Sequence, residues 1–93
     1  MQRELVLTPK FKRAFNKFVR RNKRLRKGIE ETLEQMEQDI FSSFLNTHKL
    51  SGTLEGLRAC SCGYDCRIIF SLEQQLDTEV IVLLDIGKHD AVY

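Results

Sequence analysis

The sequence predicts a single α+β domain in which a helical hairpin packs on one side of a mostly antiparallel sheet. In the first half of the chain, apolar residues recur at helical spacing in two successive segments. The second half changes to short runs rich in β-branched residues, separated by glycines. A length of 93 residues with 42% hydrophobic residues suffices for one core. We therefore expect the order β-α-α-β-β-β within one domain, residues 1–93.

The first predicted elements are a short strand over Glu4–Leu7 and a helix that begins at Thr8 and Pro9. Threonine is a favoured N-cap residue, and proline suits the first helical position because its missing N–H has no intrahelical acceptor there. The inward-facing stripe of this helix consists of Phe11, Phe15, Phe18 and Val19.

A second amphipathic helix is predicted after a break over residues 22–28. Its apolar positions are Ile29, Leu33, Met36, Ile40 and Phe44. We interpret the two helices as a helical hairpin and the aromatic stripe of the first as core rather than as a cofactor site.

Three extended segments are predicted in the second half. They cover residues 57–62, 67–72 and 79–86, with turns over 63–65 and 73–78. The last segment is a continuous β-branched run that ends at Gly87, as is typical of a central strand buried on both faces.

The charge distribution indicates a polyanionic partner, although the net charge is only +2. The segment from Lys10 to Lys27 holds ten of the 15 basic residues and no acid, and acidic residues dominate the following segment, residues 30–39. Phosphate neutralisation by such cations releases counterions and favours binding. The alternative is a solvated helix face whose charges partly pair with the acidic segment.

The chain shows no membrane or export signal. No apolar run approaches the roughly 20 residues that span a bilayer, and the N-terminus lacks a signal-peptide pattern. We expect a cytoplasmic protein.

The three cysteines are an odd number, which argues against a closed disulfide framework. Cys60, Cys62 and Cys66 together with a histidine could complete a zinc site. Small buried residues next to a hairpin explain them with fewer assumptions.

The tail, residues 86–93, resembles the ending of RelE/ParE-superfamily toxins, in which the last strand leads into glycine, a basic residue or histidine, and a terminal Val-Tyr. The segments 48–52, 56–58 and 65–70 resemble the His-x-Leu-x-Gly, Gly-x-Arg and Asp-Trp-x-x-x-Tyr motifs of the YafQ branch. The resemblance covers nearly the whole chain. It implies a RelE-like fold and a type II toxin that acts as a ribosome-dependent endoribonuclease and is held inactive by a cognate antitoxin.

Metal-free RNA cleavage requires a base for the 2′-hydroxyl, an acid for the leaving 5′-oxygen and cations for the phosphorane charge. Histidine exchanges protons most readily near neutral pH, and His48 and His89 are the two histidines of the chain. The resemblance puts both in the active site with Asp65 beside them. Without the resemblance, a lone histidine in a loop is usually an ordinary surface residue.

The resemblance implies further site residues and no cofactor or metal. Arg58 and Arg67 are candidates for stabilising transition-state charge, and Tyr93 for positioning the substrate. Phosphate contacts are expected from Lys49 and Lys88, and contacts of the basic segment with ribosomal RNA from Lys17, Arg20, Arg21 and Arg24. The partners are then the antitoxin and mRNA on the ribosome.

Three departures from the YafQ-like pattern predict a weakened or altered site. Cys66 replaces an aromatic residue, Ser61 replaces an additional histidine, and Asp85 replaces a basic residue. Two alternatives stay open: a ParE-like toxin that inhibits DNA gyrase by protein contact, and a catalytically inactive homologue that binds RNA or antitoxin.

Overall fold

A computed structural model describes residues 3–63 and 65–88 and confirms the predicted α+β class. The helices are α1 (Pro9–Phe18) and α2 (Lys23–Gln38), and a short 3-10 helix covers Gly52–Leu54. The strands are β1 (Glu4–Leu7), β2 (His48–Lys49), β3 (Arg58–Ser61), β4 (Arg67–Gln75) and β5 (Thr78–Gly87). The two-residue strand β2 is absent from the predicted order.

The five strands form one mixed sheet in the order β1-β5-β4-β3-β2. β1 is parallel to β5, and the other three pairs are antiparallel. The expected mostly antiparallel sheet is therefore confirmed. β5 lies between β1 and β4, as its continuous apolar run predicts.

The start of α1 follows the predicted capping chemistry. The Thr8 hydroxyl oxygen accepts a hydrogen bond from the Phe11 amide at 3.1 Å, and Pro9 is the first helical residue. The same hydroxyl donates to the Leu83 carbonyl at 2.7 Å. One side chain thus caps α1 and fixes it to β5.

The predicted break over residues 22–28 is wrong, because α2 already begins at Lys23. The Asn22 side-chain oxygen accepts from the Leu25 amide at 3.0 Å and supplies an N-cap that the apolar pattern does not reveal. Arg21 takes the left-handed conformation, with φ 60°, in the turn before it. The ten cations therefore span α1, a short turn and the first part of α2 rather than a single helix.

The predicted extension of α2 to Phe44 is also wrong. Asp39 is extended, with φ −157° and ψ 93°, and its carboxylate accepts from the Phe41 amide at 3.1 Å. This local hydrogen bond competes with helix continuation. Ile40 is still fully buried beyond the helix end, whereas Phe44 is 87% exposed.

The turn between β4 and β5 is shorter than predicted. β4 continues to Gln75, which pairs with Thr78, so only Leu76 and Asp77 form the turn. Leu76 has φ 52°. Polar residues 73–75 form an exposed strand end, which is why their composition alone resembles that of a loop.

The core lies between the helices and one face of the sheet. Phe11, Ile29 and Met36 of the helices belong to one buried cluster with sheet residues, which include Cys60, Ile68, Phe70, Ile81, Leu83 and Ile86. Within the described residues no helix covers the opposite face, here called the helix-free face. Neither α1 nor α2 has the length and apolarity that a membrane span requires.

Candidate functional site

The strand register puts two predicted site residues, His48 and Arg67, on the helix-free face. His48 pairs with Ala59, and Ser61 pairs with Arg67. Directly paired residues share a face, and side chains alternate along a strand. Because Cys60 lies in the helix-side core, these four residues point to the opposite face.

A buried apolar floor lies between the polar groups of this face. Ala59 is fully buried and Ile69, its partner on β4, is 4% exposed. His48 and Arg67 stand at either side of this floor. From strand spacing and rise, their Cα atoms are about 12 Å apart. At this separation, the imidazole of His48 and the guanidinium of Arg67 can both contact one phosphodiester.

The His48 ring is oriented by the backbone of the preceding turn. Its Nδ1 atom lies 2.9 Å from the Asn46 carbonyl oxygen. A carbonyl only accepts, so Nδ1 carries the proton and donates. Nε2 is therefore the proton-accepting atom of the neutral ring. Ser61 donates its amide to the Leu45 carbonyl at 2.7 Å, which fixes this turn beside the end of β3.

Asp65 lies in the short hairpin loop between β3 and β4. It is exposed and has φ 54°, while Gly63 has φ 125°, so both adopt left-handed backbone conformations. The Cys62 amide donates to the Cys66 carbonyl at 3.1 Å, and the Cys66 amide donates to the Gly63 carbonyl at 3.4 Å. These bonds shape the loop that carries Asp65, two residues before Arg67 at the start of β4.

A disulfide joins Cys62 and Cys66 across this loop, with a Cα–Cα distance of 5.0 Å. The argument against disulfides from an odd count is thus corrected: one pair is bonded and Cys60 is the free thiol. A disulfide requires only two neighbouring cysteines, so an odd number of cysteines in the chain does not exclude one. All three cysteines are buried, as the small-residue interpretation expects. Among residues 3–63 and 65–88, no cluster of three metal-ligating side chains occurs.

The surroundings of Cys60 lower the reactivity of its thiol. Burial raises the pKa of its thiol to about 12, and the positive charge of Arg67 acts in the opposite direction. Its sulfur lies 3.8 Å from the sulfur of Met36 in the core. A reactive role for this thiol near neutral pH has no support.

The two candidate arginines lie on opposite faces of the sheet. Arg67 is half-buried on the helix-free face and donates from Nη1 to the Cys66 carbonyl at 2.9 Å. Arg58 is on the helix side, directly opposite Lys49. Its guanidinium lies 5.7 Å from the centroid of the Phe41 ring. The geometry therefore favours Arg67 over Arg58 as a neighbour of His48.

Of the predicted site residues in the tail, Lys88 is among the described residues. Arg67 pairs with Gly87, and the exposed Lys88 follows directly. His89 and Tyr93 lie outside the described residues. The basic-segment candidates, all exposed, lie at the end of α1, in the turn and at the start of α2: Lys17, Arg20, Arg21 and Arg24.

Sequence reasoning missed two features of this site. The Asn46 carbonyl orients His48 because Asn46 has φ 51°, and asparagine is among the residues that tolerate this conformation best. The spacing of Cys62 and Cys66 around a glycine-containing turn was a signal for a hairpin disulfide. Neither signal is decisive without the strand pairing.

Comparison with known proteins gives a family and a fold. The sequence model of a family described as a bacterial toxin of type II toxin-antitoxin system, YafQ, matches residues 3–93. YafQ from E. coli strain BL21(DE3) has a TM-score of 0.78 at 15% identity, over 99% of both chains. The E. coli DinJ-YafQ toxin-antitoxin complex contains a chain with a TM-score of 0.76 at 16% identity, covering 100% of this chain and 99% of that one.

A further solved structure, the YoeB-YefM complex from Staphylococcus aureus, matches with a TM-score of 0.71 at 17% identity, over 96% of this chain and 99% of that one. No curated protein sequence matches significantly. At these identities the solved structures establish the shared fold, and the family match across residues 3–93 establishes the relationship. The chain belongs to the YafQ family of bacterial toxins of type II toxin–antitoxin systems.

Proposed function

We propose that this toxin is a ribosome-dependent endoribonuclease that cleaves mRNA with its own side chains and without a metal. The observation that carries the proposal is the shared position of His48 and Arg67 on the helix-free face, on either side of the floor formed by Ala59 and Ile69. A proton acceptor and a fixed cation on one face are the groups that transesterification of RNA requires.

In the proposed reaction, a base removes the proton of the ribose 2′-hydroxyl, and the 2′-oxygen forms a bond to the adjacent phosphorus. The bond between phosphorus and the 5′-oxygen breaks, and an acid donates a proton to that oxygen. The products are a 2′,3′-cyclic phosphate and a 5′-hydroxyl. The reaction needs no oxidant or reductant, and no water molecule is consumed in it.

We assign the base to Nε2 of His48, because its Nδ1 donates to the Asn46 carbonyl. Arg67 stabilises the phosphorane charge, and Asp65 orients one of the histidines. His89 is the candidate acid, with Tyr93 positioning the substrate and Lys88 contacting a phosphate. The roles of His89 and Tyr93 rest on the motif resemblance.

The departures from the YafQ-like pattern support a weakened active site. Ser61 is directly opposite Arg67, so the missing histidine would have belonged to the same face. Cys66 is buried in a disulfide and offers no stacking surface. Asp85 puts a negative charge where the pattern has a positive one, and its carboxylate forms an ion pair with the Lys10 ammonium at 3.7 Å.

One partner of the proposed nuclease is mRNA on the ribosome, and the second is an antitoxin. The solved DinJ-YafQ and YoeB-YefM structures are complexes, the first described as toxin-antitoxin. We propose a cognate antitoxin that folds on binding, since an acidic disordered segment suits the basic helices. Co-expression with the adjacent open reading frame should raise the yield of active protein. A chain that neither arrests growth nor binds a neighbour-encoded protein would contradict this partner.

The nuclease proposal is tested by comparing RNA cleavage in a translating extract with inhibition of gyrase supercoiling. Cleavage of translated mRNA, with little cleavage of the same RNA off the ribosome, is the expected result. Supercoiling inhibition without cleavage would favour gyrase poisoning by protein contact. Binding of RNA or antitoxin with neither activity would identify an inactive homologue.

A further inference from the structure

A cavity of about 380 Å³ opens on the chain between β2 and β3. It is lined by Lys49, Leu50, Glu55, Gly56, Leu57 and Arg58. The Leu50 amide donates to the Leu57 carbonyl at 3.0 Å, which closes the loop at its base. Further backbone hydrogen bonds within the loop, such as Glu55 amide to Gly52 carbonyl at 3.2 Å, hold its shape. These hydrogen bonds give the loop that lines the cavity a defined backbone conformation.

Two cations face each other at this cavity. Lys49 and Arg58 are direct partners in the β2–β3 register, so their side chains share the helix side of the sheet. Like charges directly opposite each other destabilise a strand pair. Within residues 3–63 and 65–88 neither cation forms an ion pair, although Glu55 lines the same cavity. An anion between them would remove this repulsion.

Arg58 is held in position by an aromatic ring. Its guanidinium is 5.7 Å from the ring centroid of Phe41, and that of Arg3 is 5.5 Å from the same centroid. Cation–π contact limits the rotamers of Arg58 and lowers the entropic cost of binding a ligand. Phe41 keeps 54% of its surface exposed, so the cations and an accessible ring form one patch.

We propose that the Lys49–Arg58 cavity binds one nucleotide of a single-stranded RNA backbone, away from the bond that is cleaved. The inference rests on the proposed function only for the identity of the ligand as RNA. Small-ligand sites have volumes of roughly 300–1,000 Å³, so this cavity suits a single nucleotide. The cations receive the phosphodiester, Leu50 and Leu57 form the apolar wall, and Glu55 accepts a hydrogen bond from a hydroxyl or amino group.

The position of β2 connects this cavity to the helix-free face. β2 is an edge strand of the sheet, and His48 and Lys49 are adjacent with side chains on opposite faces. An RNA strand can therefore pass around this edge without crossing the sheet. The bound nucleotide can come from mRNA or from ribosomal RNA, and both present the same phosphodiester.

The test compares the double variant Lys49→Gln/Arg58→Gln with the control Lys49→Arg/Arg58→Lys, which keeps both positive charges at the cavity. The probe is a short fluorescent 2′-O-methyl RNA, which resists cleavage through the 2′-oxygen. Binding should weaken about tenfold in the cavity variant, and the slope of log affinity against log salt should fall by about 1.4. Circular dichroism checks that both variants fold.

A second arm measures co-sedimentation with ribosomes that carry no mRNA. Loss of oligonucleotide binding identifies mRNA as the source, and loss of ribosome binding alone identifies ribosomal RNA. If the cavity variant equals the control in both arms, the proposal is overturned. Binding is measured without cleavage, so the two proposals can fail separately. If the wild-type chain cleaves no RNA and the cavity variant still loses RNA affinity, the nuclease proposal is refuted and the cavity proposal stands.

Discussion

The imidazole Nδ1 of His48 donates a hydrogen bond to the backbone carbonyl of Asn46, at 2.9 Å. The donor is a side chain on the edge strand, and the acceptor is in the turn just before it, where Asn46 has φ 51°. The contact fixes the tautomer of the neutral ring and directs its basic nitrogen away from the turn. Because the acceptor is backbone, no side-chain substitution at position 46 removes it directly.

We expect His48→Ala to lower ribosome-dependent cleavage by about 10²–10⁴-fold, the range for loss of a general base. The exposed side chain contributes little to the core, so thermal unfolding should change little. Asn46→Gly is the matched control, because it keeps the carbonyl and tolerates positive φ. Cleavage by His48→Ala at the wild-type rate would remove the residue from the mechanism.

Ser61→His should raise the cleavage rate about tenfold, since it restores a proton-transfer group directly opposite Arg67. Single-turnover cleavage of mRNA on stalled ribosomes is the measurement. Ser61→Asn, which is polar but does not transfer protons near neutral pH, should leave the rate unchanged. An equal effect of histidine and asparagine would point to packing instead.

His89→Ala should abolish growth arrest while the protein remains folded, because the motif puts a catalytic or phosphate-contacting group at that position. Tyr93→Ala should reduce toxicity less, since it loses substrate positioning rather than proton transfer. Growth after induction and circular dichroism of the purified variants are measured together. Undiminished toxicity of a soluble His89→Ala protein would refute the assignment.

Neutralising the basic segment should weaken ribosome binding without altering the cleaved codons. The variant replaces Lys17, Arg20, Arg21 and Arg24 by glutamine. Four lost phosphate contacts reduce the salt slope of log affinity by up to about 3.6. Backbone contacts carry affinity rather than sequence selection, so sequencing of cleavage ends should give the same sites. Glu30→Gln/Glu31→Gln, of opposite sign on α2, should not weaken binding; altered codons at unchanged affinity would contradict the prediction.

Reduction of the Cys62–Cys66 disulfide should lower the free energy of unfolding by about 2 kcal/mol, the loop-entropy value for five residues. Urea titration with and without dithiothreitol measures the change. Cys62→Ala/Cys66→Ala should be insensitive to the reductant. The native protein should resist alkylation at neutral pH because Cys60 is buried and its pKa is raised to about 12. Counting three free thiols in the unreduced, unfolded chain would exclude the disulfide.

Local chemistry explains what was predicted correctly from the sequence. The cap at Thr8, the stripe that begins with Phe11 and the long strand before Gly87 each depend on neighbours within a few residues. The motifs around His48 and the tail also indicated the toxin family, which the family match confirms. Where a local competitor was overlooked, the prediction failed: the Asn22 cap starts α2 early, and the Asp39 carboxylate helps to end it.

By itself the sequence determined the fold class, the family and a set of candidate residues, because periodicity, capping and motif order are properties of the linear chain. Only the tertiary structure decided that Arg67 shares a face with His48 while Arg58 joins Lys49 on the other. The tertiary structure also decided that Cys62 and Cys66 form the disulfide. The physical reason is the register of the sheet: hydrogen bonds between distant segments set it, and a slip of one residue would exchange the two faces.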